Sequence, residues 1–137
     1  MDEALSNKSI LLNSKVRLSN AEMFLISYLD HNGDICYDKK YDLIFKVGSD
    51  YIYAKKLFDG LNDIYPEISS ADGMFIIDFE YGNGQSSLER YYFNVRSDEV
   101  YILKKDIIYS RTGRSKVLKF KDLNIKDAEF SKLINSY

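Results

Sequence analysis

Cysteine, proline and histidine each occur once among the 137 residues, as Cys36, Pro66 and His31. With a single cysteine no intrachain disulfide can form, and structural zinc, which takes four ligands drawn mainly from cysteine and histidine, is not expected. Any Ser-His or Cys-His catalytic pair would have to run through His31, which reads as a loop residue beside a helix end. Long apolar runs are missing too: Leu43-Ile44-Phe45 falls far short of the roughly 20 residues that span a bilayer. No charged-then-apolar leader opens the sequence, so a cytoplasmic, non-membrane protein is expected. Gly82-Asn83-Gly84 lacks the lysine and following helix of a phosphate loop, and there is no Gly-x-Ser-x-Gly elbow. The sequence therefore predicts no enzyme, no cofactor and no metal.

What is abundant is aromatic. Twelve tyrosines and eight phenylalanines give a chain of this length enough apolar surface to offset its ordering entropy, and the length fits one domain. Residues 1–8 are polar, aperiodic and expected to fray. The net charge of −2 conceals an asymmetry. Residues 1–103 carry 10 basic and 17 acidic side chains, whereas residues 104–121 carry 7 basic and 1 acidic. Opposite charges on different regions can steer different partners.

The strongest periodicity lies between Met74 and Phe120. Phe75, Ile77, Phe79 and Tyr81 alternate with polar residues, as do Tyr91, Phe93 and Val95, which predicts an antiparallel meander of strands at 74–81, 89–96, 100–110 and 115–120. The Thr112-Gly113 pair reads as a two-residue hairpin connection. Upstream, Ser19 and Glu22 form a capping-box pattern, and Ala21, Phe24, Leu25, Tyr28 and Leu29 follow three-four spacing, predicting a helix at 20–31. A strand at 42–47 and a second helix at 50–65 follow, the latter with Tyr51, Ala54, Leu57, Phe58, Leu61, Ile64 and Tyr65 on one side and Pro66 as its stop. Asn124 caps a third helix at 125–135 that turns Ile125, Ala128, Leu133 and Ile134 inward. The predicted fold class is a single α+β domain with helices packed on a meander.

Asp30, Asn32 and Asp34 stand where an EF-hand calcium loop has its first, third and fifth positions. The loop then fails, because Ile35 replaces the required glycine and Tyr41 the closing glutamate. The segment reads as a helix stop and turn. Two surfaces remain. Arg90, Tyr92, Asn94 and Arg96 on one strand face, with Lys104, Lys105, Arg111, Arg114, Lys116, Lys119 and Lys121, combine cations with an aromatic platform, as single-stranded nucleic-acid binding requires. The acidic region from Asp30 to Asp72 interleaves carboxylates with tyrosines and is the first choice for a protein contact, through Asp34, Asp38, Asp42, Tyr53, Asp59, Asp63, Glu67 and Asp72. Such a surface suits a stoichiometric inhibitor of a basic protein, for example a bacterial immunity protein against a nuclease-like toxin. A third expectation is a small enzyme or ligand-binding domain with a cavity lined by Phe and Tyr under the sheet.

Overall fold

The computed structural model describes residues 10–31, 37–54, 56–59, 65–83, 85–109 and 112–134, with the side chains at 10, 11, 29–31, 37–39, 81–83 and 85–87 left aside. Residues 1–8, expected to fray, lie outside them. Nine strands run in chain order among the described residues: β1 Ile10–Leu18, β2 Ala21–His31, β3 Tyr37–Val47, β4 Asp50–Tyr53, β5 Glu67–Ala71, β6 Met74–Asn83, β7 Gln85–Arg96, β8 Glu99–Tyr109 and β9 Ser115–Asn124. They form two antiparallel meanders, β1-β2-β3-β4 and β5-β6-β7-β8-β9. The α+β expectation is therefore corrected: among the described residues helical structure amounts to a 3-10 turn, Ile125–Asp127, and one short helix, α1, Phe130–Leu133.

The meander at 74–120 forms where the alternation placed it, and β9 continues to Asn124. Turn chemistry sets its registers. Asp72 and Gly73 (φ 53° and 76°) join β5 to β6, and Ser97 and Asp98 (φ 50° and 64°) join β7 to β8. Two consecutive left-handed residues are the signature of a two-residue turn that matches strand twist. The β8–β9 connection is longer than two residues, since the Tyr109 N–H bonds Arg114 O at 2.9 Å and Gly113, at φ 69°, sits inside the loop.

The helix expected at 20–31 is strand β2. Ser19 and Asn20 are the exposed two-residue turn between Leu18 and Ala21, and Glu22 pairs with Lys15 at 3.5 Å instead of capping a helix. The supposed helix stripe splits across both faces: Ala21, Met23 and Leu25 point into the core, Phe24 and Tyr28 away from it. β2 is a central strand whose outer residue Ile26 is also buried, so its sequence is apolar on both phases and mimics helical spacing. Where the helix expected at 50–65 is described, β4 and a tight turn stand in its place, with Leu57 and Asp59 donating to Ala54 O and Lys56 O; residues 55 and 60–64 of that range lie outside the described residues. Tyr51 and Ile52 go to opposite faces, 48% and 6% exposed. The third helix breaks at Ala128 and Glu129. Asn124 does cap, accepting from Lys126 N at 3.0 Å, but it caps only the 3-10 turn.

The inner faces of the two sheets pack together, as in a sandwich. Met23, Leu25, Leu43, Phe45 and Ile52 from the first meet Phe75, Ile77, Phe79, Tyr91 and Phe93 from the second. Phe45 bridges the layers edge-on, 5.7 Å from Phe75 and 5.4 Å from Phe93. β1 runs beside β5 on one side. Elsewhere the sandwich is sealed by the connecting segment, through buried Leu57 and Phe58, and by Phe130 of α1, whose N–H bonds Leu57 O at 2.8 Å. The Phe130 ring lies 4.8 Å from Phe79, 4.9 Å from Tyr91 and 5.3 Å from Phe58.

Candidate functional site

The structure does not gather the acidic set into one patch. Asp34 and Asp63 lie outside the described residues, and Asp38 is placed on β3 by its backbone alone. Asp42 and Tyr53 are brought together on the outer face of the first sheet, the Tyr53 hydroxyl donating to Asp42 Oδ2 at 2.7 Å. Asp42 is only 4% exposed, in register with buried Ile26 and next but one to buried Ile44, so it cannot itself meet a partner. Asp59 and Glu67 are exposed near the two ends of the segment that links the sheets, and Asp72 is exposed at the far end of β5. Between Asp59 and Glu67 stands Tyr65, 78% exposed, the barest of the large apolar side chains on the described surface. Its neighbour Pro66 is buried, as are Leu57 and Phe58 earlier in the link; residues 60–64 lie outside the described residues.

The basic stripe is real but largely matched by the protein's own carboxylates. Arg90, on β7, lies in register between Asp78 of β6 and Asp106 of β8. Its Nε and Nη2 donate to the two Asp78 carboxylate oxygens at 2.8 and 3.0 Å, a fork that holds the guanidinium even more firmly protonated than usual. Tyr92 donates from its hydroxyl to Asp106 Oδ2 at 2.7 Å, with Lys104 Nζ 4.6 Å from its ring centre. Burial, and then this bond to Asp106, push the Tyr92 phenol up. The other oxygen, Asp106 Oδ1, is buried with no hydrogen-bond partner. Arg96 stacks 4.4 Å over Tyr101 and reaches Asp122 at 3.6 Å. Tyr101 donates to Glu99 Oε2 at 2.8 Å, which raises its phenol pKa. Arg111 lies outside the described residues, while Arg114 and Lys116 are exposed at the turn before β9 and on β9 itself.

Lys105 does not belong to that stripe. It is fully buried, and its Nζ donates to Glu89 Oε1 at 2.8 Å and to Leu133 O at the end of α1. The Tyr91 hydroxyl donates to the same Glu89 oxygen at 2.9 Å, and the Tyr91 ring centre lies 5.6 Å from the ammonium. Glu89 is 1% exposed. The inversion of Lys105 comes from a bulge. Ile102 faces the core, and in β8 Leu103 is skipped in the pairing with β7, so the phase shifts and Lys105 and Ile107 face inward. For Glu89 a signal did exist, since it shares the phase of Tyr91 and Phe93. Chemically this is a desolvated ion pair with a phenol donor, closed over by α1. It ties the C-terminal segment to the second sheet.

Among the described residues no three of His, Cys, Asp and Glu converge as metal ligands would, and the described helices include none long and apolar enough to cross a membrane. His31 ends β2, so the segment resembling a calcium loop follows a strand and not a helix, and its residues 32–36 lie outside the described residues. Comparison with family models, with curated proteins and with solved structures found no match for this chain.

Proposed function

We propose that this chain is a cytoplasmic protein-binding domain that neutralises a basic partner, with the linker between the two sheets as its contact. Tyr65 is the observation that carries the reading: an aromatic side chain 78% exposed, beside buried Pro66 and lying in sequence between exposed Asp59 and Glu67. Tyrosine in such a setting is a hot-spot residue, because it buries a large area with few rotors to immobilise, and flanking carboxylates raise the encounter rate with a cationic surface. A nuclease-like toxin is the partner class whose chemistry fits, since an enzyme that binds a polyanion offers a basic cleft for an acidic, tyrosine-bearing inhibitor to cover.

The test is capture of partners from host lysate on the tagged protein, at low and then high salt. A basic protein retained in about one-to-one amount is expected. Tyr65→Ala should weaken its binding by roughly 30-fold, as a hot spot of about 2 kcal/mol implies. Asp59→Lys with Glu67→Lys should slow its association and weaken the salt dependence. Retention unchanged by all three substitutions would refute the assignment. The second reading, a nucleic-acid-associated domain, is weakened by the pairing of Arg90 and Arg96 with Asp78 and Asp122. It is left with the cations of β9 and its turn.

A further inference from the structure

We infer that the free edge of β9 is a strand-addition site for an extended acidic segment of a partner protein, separate from the linker contact. Among the described residues β9 ends the second sheet with β8 as its one strand neighbour, in register over Ser115–Lys119 and again at Leu123 and Asn124, with Phe120–Asp122 passed over by a bulge. Its hydrogen-bond phase follows from one contact. Tyr109 N–H to Arg114 O marks that pair as hydrogen-bonded, and Ile108 stands opposite Ser115, so bonded pairs recur at Ile107/Lys116 and Lys105/Leu118. The N–H and C=O groups of Ser115, Val117 and Lys119 therefore point away from β8, along the open edge. Val117 is 50% exposed, and Ser115 and Lys119 are exposed as well.

Two features define the occupant. Arg114, Lys119 and Lys121 line this edge and its turn, and no acidic residue stands between Arg114 and Asp122. Lysines on an edge strand repel a basic strand, including the same edge of a second copy, and disfavour a neutral one that would desolvate them without a counter-charge, but they attract a segment carrying carboxylates. On the inward phase Leu118 and Phe120 are only half-buried, with Phe120 packed against the core cluster. An added strand alternating acidic and apolar residues would place its carboxylates against the lysines and its apolar side chains beside Leu118 and Phe120. Backbone bonds supply affinity in this mode, and alternate side chains supply selection.

The phase makes the experiment specific. Proline at 117 removes an N–H that faces the open edge and leaves the β8 ladder intact, whereas proline at 118 breaks the ladder. The probe is a fluorescein-labelled peptide of about eight residues alternating valine and glutamate, followed by anisotropy in low salt. Binding is expected to weaken as salt rises, to fall at least tenfold in Val117→Pro and in Lys119→Glu with Lys121→Glu, and to survive Tyr65→Ala, which separates this edge from the linker contact. A peptide N-methylated at every second residue keeps its side chains and charge but cannot bond the edge on one side. Its failure to bind the unaltered protein is expected, and this arm stands even if Val117→Pro does not fold. Equal binding of the N-methylated or scrambled peptide, no binding at millimolar peptide, or a preference for single-stranded oligonucleotide over the peptide would each overturn the inference.

Discussion

Replacing Lys105 by methionine isolates the buried ion pair. Methionine keeps an unbranched stem in the same space but removes the ammonium that meets Glu89 at 2.8 Å in a site where the two side chains are 0% and 1% exposed. The Glu89 carboxylate keeps the Tyr91 hydroxyl and loses its cation, while Leu133 O loses the Lys105 donor. Stripping one partner from a buried pair costs about 3–5 kcal/mol, because the other charge stays desolvated without its counter-ion. An unfolding entropy of about 2.1 cal/mol/K per residue over 137 residues gives roughly 0.3 kcal/mol/K, so Tm should fall by about 10–17 °C. Glu89→Leu combined with Lys105→Met should recover most of that loss, since replacing a whole buried pair with apolar side chains of similar volume is close to neutral. Thermal and urea denaturation followed by circular dichroism on the two single variants and the double closes the cycle. A fall of less than about 3 °C in Lys105→Met, or a double variant as unstable as the two singles added together, would refute the reasoning.

Tyr92→Phe leaves Asp106 without its one hydrogen bond and should cost about 1–2 kcal/mol at neutral pH. A raised phenol pKa stabilises the fold below the unfolded value near 10 and ceases to do so as pH climbs through the folded value. Urea midpoints measured from pH 8 to 11.5 should therefore fall more steeply for the unaltered protein than for Tyr92→Phe, and parallel curves would count against the burial and Asp106 account. Phe130→Ala empties a fully buried ring position among Phe58, Phe79, Tyr91 and Phe93, and an unfolding free energy lower by about 3–5 kcal/mol is expected. A loss below 1 kcal/mol would mean that α1 is not part of the core.

In the second sheet β7 was legible because buried Tyr91 and Phe93 alternate with half-exposed Arg90, Tyr92 and Asn94; in β6 the phase of Phe75, Ile77 and Phe79 showed although Ile76 is buried too, because Asp78 and Glu80 mark the other face, and tight turns punctuate the meander. The first sheet was not. In β2 and β3 the outer residues Ile26 and Ile44 are buried as well, and a run apolar on both phases carries no period by which to separate strand from helix. β5 escaped for the opposite reason: Glu-Ile-Ser-Ser-Ala is a polar edge held by its register with β6, not by its own propensity. Of the acidic residues expected to make a contact, Asp59, Glu67 and Asp72 are exposed, while Asp42 is buried by neighbours from β2 that only the pairing reveals. The Lys105 inversion depends on a single skipped residue, and local alternation cannot register a bulge.

Each sheet is drawn from one uninterrupted stretch of chain, the first from 10–53 and the second from 67–124. No strand of one half is inserted among those of the other. Backbone scission within the linker would consequently leave two fragments with the described ladders intact in each, meeting at an apolar interface centred on Phe45, Phe75 and Phe93, along β1 and β5, and where Leu57 meets Phe130. The domain is in this sense a covalent heterodimer of two meanders. Its halves have the layout of a split-reporter pair, able to reassemble when a fused partner raises their effective concentration.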